Sequence, residues 1–120
     1  MPKFKITEKH ISDAVKMLLE IDGWRVFHME PLSNIIQRRY SAELGCPDLL
    51  ALRYAPKFPH TGSNDILWIE VKRPGAKPKK HQAEWHTAER NRGAEVIVVD
   101  DFDKFRAEYI SGPLNRSIRA

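Results

Sequence analysis

The chain predicts an α/β fold. Three observations carry this: short runs of large apolar residues bounded by Pro, Gly and Asp; segments between them with apolar residues at helical spacing; and a strand–helix–strand order from Ile66 to Val99. At 120 residues the chain reads as one domain, large enough for a real core, with a basic tail over about residues 113–120.

Thr7 predicts the N-cap of a first helix that runs to about Ile21 and stops at Gly23. Its apolar stripe is Ile11, Ala14, Val15, Leu18 and Leu19. At about 100° per residue, Glu8 falls within the arc of Ile11, Val15 and Leu18. That is an unusual place for a carboxylate, although the positive end of the helix dipole also suits it. Trp24 to Glu30 alternates as a first strand, and Pro31 to Leu44 reads as loop or irregular structure. A second strand covers Asp48 to Tyr54. The stretch Ala55 to Asp65, with Pro56, Pro59, Gly62, Ser63 and Asn64, is a loop longer than an ordinary hairpin connection and is placed to move or to meet a partner.

A third strand runs from Ile66 to Lys72, and Arg73-Pro-Gly-Ala-Lys-Pro78 then breaks regular structure. A helix from about Lys79 to Asn91, ended by Gly93, sets Gln82, Trp85 and Glu89 on one side. Ala94 to Asp100 is nearly all apolar, as a buried parallel strand requires, which makes Ile66 to Val99 a βαβ unit with the usual right-handed crossover. Asp101 caps a last helix with Phe102, Phe105, Tyr109 and Ile110 facing the core. Gly112-Pro113 ends it, and Leu114 to Ala120 is expected to fray.

Composition narrows the class. Hydrophobic content of 42% and charged content of 30% describe a soluble globular protein, and no apolar stretch approaches membrane-spanning length. The polar start Met1-Pro-Lys-Phe-Lys5 is no secretory signal, so the expectation is a cytoplasmic protein without a membrane partner. The single cysteine, Cys46, excludes an internal disulfide framework and fits a reducing compartment. A net charge of +4 and a pI near 9.3 favour a polyanionic partner, although a merely basic surface has the same totals.

Chemistry concentrates at Asp48 and at Glu70-Val71-Lys72. Period-two alternation puts Glu70 and Lys72 on one strand face and Val71 on the other. Carboxylates and an ammonium at strand ends are costly to desolvate unless something compensates them, and a divalent cation would. The pattern therefore suggests a metal-dependent phosphodiester-cleaving site. Such hydrolysis needs roughly 8–23 kcal/mol removed from its barrier, whereas one lysine in water at ~4 Å supplies only about 1 kcal/mol. Asp48 and Glu70 are the natural ligands, with the backbone carbonyl of Val71 as a third, and such oxygen donors suit Mg2+ or Mn2+. Lys72 would orient the attacking water or stabilise charge on phosphorus.

The stretches Gly45-Cys-Pro-Asp-Leu-Leu-Ala51, Glu70-Val-Lys-Arg-Pro-Gly75, Gln82 with Trp85, and Arg92-Gly-Ala94 resemble the VRR-NUC domain, a branch of the PD-(D/E)xK nuclease superfamily. The resemblance runs in order from about Thr7 to Phe105, as in standalone phage and bacterial members. A bare Asp with Glu-x-Lys arises easily by chance; joined to the upstream motif and to Gln82 it is specific. It implies a three-layer, restriction-endonuclease-like α/β fold with a central mixed sheet flanked by helices, and a divalent metal. It also implies a site in which the first-helix Glu, the strand Asp, Glu-x-Lys and the helix Gln fall on Glu8, Asp48, Glu70, Lys72 and Gln82. Glu8 would reach the cation through water. The implied activity is cleavage of DNA, with relatives of this size linked to branched substrates such as Holliday junctions. Two matched cuts in such a junction would call for a homodimer. A monomeric flap or nicking nuclease and a nucleic-acid-binding module without turnover are the rival readings.

Arg38, Arg39, Arg73, Lys77, Lys79 and Lys80 are the basic residues placed to contact nucleic acid, the last four between the third strand and the start of the second helix, where phosphates bind well. His81 and His86 are spaced poorly for joint ligation, and His10, His28 and His60 are scattered, so surface or core histidines are expected. Cys46 reads as a small buried hydrophobe, and core packing is the expectation for Trp68 and Trp85.

Overall fold

The computed structural model describes residues 5–29, 45–55 and 62–119. Arg38, Arg39, the irregular stretch around them and the centre of the 55–65 loop lie outside the described residues. Helix α1 spans Glu8–Ile21, β1 Arg25–His28, β2 Leu49–Arg53, β3 Asp65–Val71, α2 Lys80–Asn91, β4 Val96–Val99 and α3 Phe102–Ser111. Among the described residues the strands form one mixed sheet in the order β1-β2-β3-β4, with β1–β2 and β2–β3 antiparallel and β3–β4 parallel. Thr7 caps α1 as its sequence predicts: its Oγ1 accepts from the His10 backbone N–H at 3.2 Å, and the His10 ring accepts from the Thr7 N–H at 3.0 Å.

Register decides the layers. Leu49 pairs with Ile69 and Ile69 with Ile97, so the odd-numbered residues of β2, β3 and β4 share a face. That face buries Leu49, Ala51, Leu67, Ile69, Val71 and Val99 against Ile11, Val15, Leu18 and Leu19 of α1 and Phe105 and Tyr109 of α3. Full burial of one such large apolar side chain contributes roughly 1.5–3 kcal/mol. The even-numbered face carries Trp68 and Glu70 and meets α2, where Trp85 stands edge-on to Trp68 with ring centroids 5.0 Å apart. The two tryptophans therefore pack, as expected. Two helices, a sheet and a third helix make three layers.

The C-terminal tail departs from the expectation of fraying. Asp22, the C-cap of α1, accepts from the backbone N–H groups of Arg116 at 2.9 Å and Ser117 at 2.8 Å, from the Ser117 hydroxyl at 2.7 Å and from the Tyr109 hydroxyl. Arg53 adds a 2.9 Å ion pair to Asp22 and donates to the Leu114 carbonyl at 2.6 Å. A carboxylate this far inside needs donors, and the tail's own backbone supplies them. Among the described residues no helix is long and apolar enough to cross a membrane.

Candidate active site

The register that builds the sheet also builds the site. Continuing the β2–β3 pairing one step past Leu49–Ile69 would set Asp48 across from Glu70, and the two carboxyls are hydrogen-bonded. One step further sets Pro47 across from Val71, and proline has no N–H to give the ladder. The Val71 N–H donates to Asp48 Oδ2 at 2.8 Å, so a side chain, not a ladder carbonyl, closes this end of β3. The Asp48 carbonyl accepts from the Met29 N–H at 2.8 Å, which ties this residue to the end of β1. The β2–β3 ladder thus ends at Leu49–Ile69, with Pro47-Asp48 just beyond it at the edge of the site.

Glu70 is only 1% exposed. Burial, together with the hydrogen-bonded and charged Asp48 carboxyl, pushes its pKa up to about 8; Glu8 adds to the push and Lys72 opposes it. Its Oε1 lies 3.1 Å from His86 Nε2, and its Oε2 lies 4.0 Å from Lys72 Nζ. Lys72 is itself buried, and its ammonium donates to Gln82 Oε1 at 2.7 Å. The same amide oxygen accepts the Lys79 N–H at 2.8 Å, so Gln82 closes the first turn of α2 and holds Lys72 at once. Asp48, Glu70, Lys72 and Gln82 therefore converge.

Glu8 is placed differently. It is exposed on the first turn of α1, not buried with the stripe that continues from Ile11, and it lines an open cleft of about 500 Å³ with Asp48, Val71, Lys9 and His28. Arg73, Lys77, Lys79 and Lys80 are exposed on the connection from β3 into α2, and Lys80 Nζ stands 3.9 Å from Glu84. Cys46 is half-buried.

His86 is the residue that the sequence reading misses. It is 2% exposed and bonds Glu70, while burial first, then the charges of Arg90 and Lys72, lower its pKa. A signal was present: Gln82 and His86 are four apart on one helix and so share a face.

Among the described residues no group of three or more His, Cys, Asp or Glu side chains closes into a ready-made metal cage. The donors fit a smaller demand. Mg2+ keeps several waters and is held through one or two carboxylates together with substrate phosphates. The adjoining carboxyls of Asp48 and Glu70, one of them raised to about 8 by burial and the other's charge, are a pair that a cation would relieve.

The fold is similar to a solved structure described as a VRR_NUC domain, with a TM-score of 0.62, 27% identity, and coverage of 86% of this chain and 95% of that one. Its fold is that of a VRR-NUC domain. That likeness supports a nuclease-type domain. No protein-family model and no curated protein matches the chain.

Proposed function

We propose that this VRR-NUC domain is a divalent-metal-dependent endonuclease that hydrolyses DNA phosphodiester bonds, with selectivity for branched DNA such as Holliday junctions. The observation that carries the reading is the cross-strand pair of Asp48 and Glu70 with Lys72 beside it. Asp48, Glu70 and the Val71 carbonyl would hold Mg2+ or Mn2+, with Glu8 joining through water. The bound cation would polarise the phosphoryl oxygen and acidify a water. Lys72, held by Gln82, would set an ammonium where negative charge accumulates on phosphorus and would orient the attacking water. Arg73, Lys77, Lys79 and Lys80, with Arg38 and Arg39, would grip backbone phosphates and select shape rather than sequence.

A cytoplasmic homodimer is the working assembly, because one site per chain must make two matched cuts in a four-way junction. Labelled junction, flap and duplex DNA incubated with Mg2+, Mn2+ or EDTA test the reading. Cleavage of the junction in both metals, none in EDTA, and loss of turnover but not of binding in Lys72→Ala are expected. Cleavage that persists in EDTA would refute the metal's role, binding without cleavage in every arm would favour a non-catalytic module, and paired cuts by a protein monomeric in light scattering would refute the dimer.

A further inference from the structure

The proposed outline of the site stops at groups that would touch metal, water or phosphate. Glu70 has another neighbour. At 1% exposure its carboxylate cannot be held in place by bulk water, and the side chain that meets it from α2 is His86, itself 2% exposed. The contact is 3.1 Å from His86 Nε2 to Glu70 Oε1, whereas Lys72 Nζ stands 4.0 Å from Oε2. Trp85, next along α2, is fixed against Trp68 two residues before Glu70 on β3, so helix and strand are packed beside this hydrogen bond. The Trp85 and His86 rings also meet edge to face, with centroids 6.4 Å apart, which limits rotation of the imidazole. A buried ligand with a fixed hydrogen-bond partner on one oxygen presents its other oxygen in one orientation. Groups of this kind, one bond removed from the ion, commonly govern metal affinity.

We propose that His86 is a positioning residue for Glu70: its ring occupies Oε1, which leaves Oε2 as the oxygen offered to a cation shared with Asp48. The inference deepens the metal-dependent reading above and rests on it. His86 touches neither substrate nor metal, and it acts by removing rotational freedom from Glu70.

The test is Mn2+ binding to the full chain without DNA, followed by electron paramagnetic resonance, in wild type and in Asp48→Asn, His86→Leu, His86→Gln and His86→Asn. His86→Leu removes the donor and keeps an apolar side chain in a buried place; Mn2+ affinity should fall roughly 10–100-fold. His86→Gln carries an N–H at similar reach and should recover most of that loss. His86→Asn, too short to reach Oε1, should bind as weakly as His86→Leu, and it asks the same question with a polar side chain if thermal melting shows the leucine variant unfolded. In cleavage assays the defect should appear in the Mn2+ concentration required and be reduced by excess metal. Wild-type affinity in folded His86→Leu and His86→Asn, with Asp48→Asn binding weakly, would overturn the role of His86 and leave the site intact. Wild-type affinity in Asp48→Asn, or no Mn2+ binding by wild type, would overturn the site itself and this inference with it.

Discussion

Glu70 shows how the site works against the fold. Its folded pKa of about 8 stands above the ordinary 4.5, so the unfolded chain gives up its proton first. The metal-free fold must then lose stability as pH rises from about 4.5 through about 8. Glu70→Gln removes the charge and keeps the size. It should stabilise the metal-free protein at pH 8 by on the order of 1–2 kcal/mol, seen as a higher melting temperature, while cleavage is lost. An unchanged or lower melting temperature would mean that the buried carboxylate is already compensated by His86 and Lys72. That Glu70 and Lys72 share a strand face was legible from alternation alone, whereas Asp48 and Gln82 were joined to them by the run of motifs along the chain. His86 was not, because its role depends on α2 lying over the even-numbered face of β3, a tertiary fact that neither segment contains.

At the scale of elements, the approach of the β2 entrance to α2 is set by Gly45. Its φ of +90° is left-handed, and a Cβ there would stand 2.8 Å from the His81 carbonyl oxygen. Gly75 also has a left-handed φ, +81°, but a Cβ there would meet nothing within 4 Å. Gly45→Ala should therefore cost more than Gly75→Ala in chemical denaturation, about 2–3 kcal/mol against ~1 kcal/mol. Equal costs would show that backbone conformation alone matters at Gly45.

The other end of the sheet is held by Asp22, whose pKa is kept at about 2: burial raises it, but hydrogen bonds from Tyr109, Arg116 and Ser117 outweigh burial. A carboxyl held below its ordinary 3.8 contributes stability above that pH, and the contribution disappears as pH falls through about 2. At ~1.36 kcal/mol per pKa unit the contribution is roughly 2 kcal/mol. Acid titration of Asp22→Asn should lack this loss between about pH 4 and 2; a wild-type acid profile in that variant would contradict the assignment. The tail's fixed course was hidden in the sequence because two of its bonds to Asp22 come from the backbone N–H groups of Arg116 and Ser117, which leave no trace in residue type.

Over the whole molecule the fold was the most legible part. Apolar runs of strand length, a continuous β4 and caps at Thr7 and Asp101 are local signals, and they agree with the three layers that form. Charge distribution was less informative, because net charge does not say which lysines touch phosphate. Lys79 and Lys80 stand exposed at the start of α2, beside the turn that Gln82 closes. Replacing both with Ala should weaken binding of junction DNA and lower the slope of log K against log salt by about 2, near 0.9 for each phosphate contact. An unchanged slope would place the phosphates on another surface.

The account depends on Asp48 and Glu70 sharing one hard cation. A crystal soaked in Mn2+ and measured for anomalous scattering answers this directly. The predicted result is a peak between the two carboxyl groups, within ligand distance of the Val71 carbonyl; a peak elsewhere, or density showing the two carboxyls joined by a proton with no metal at saturating Mn2+, would contradict it.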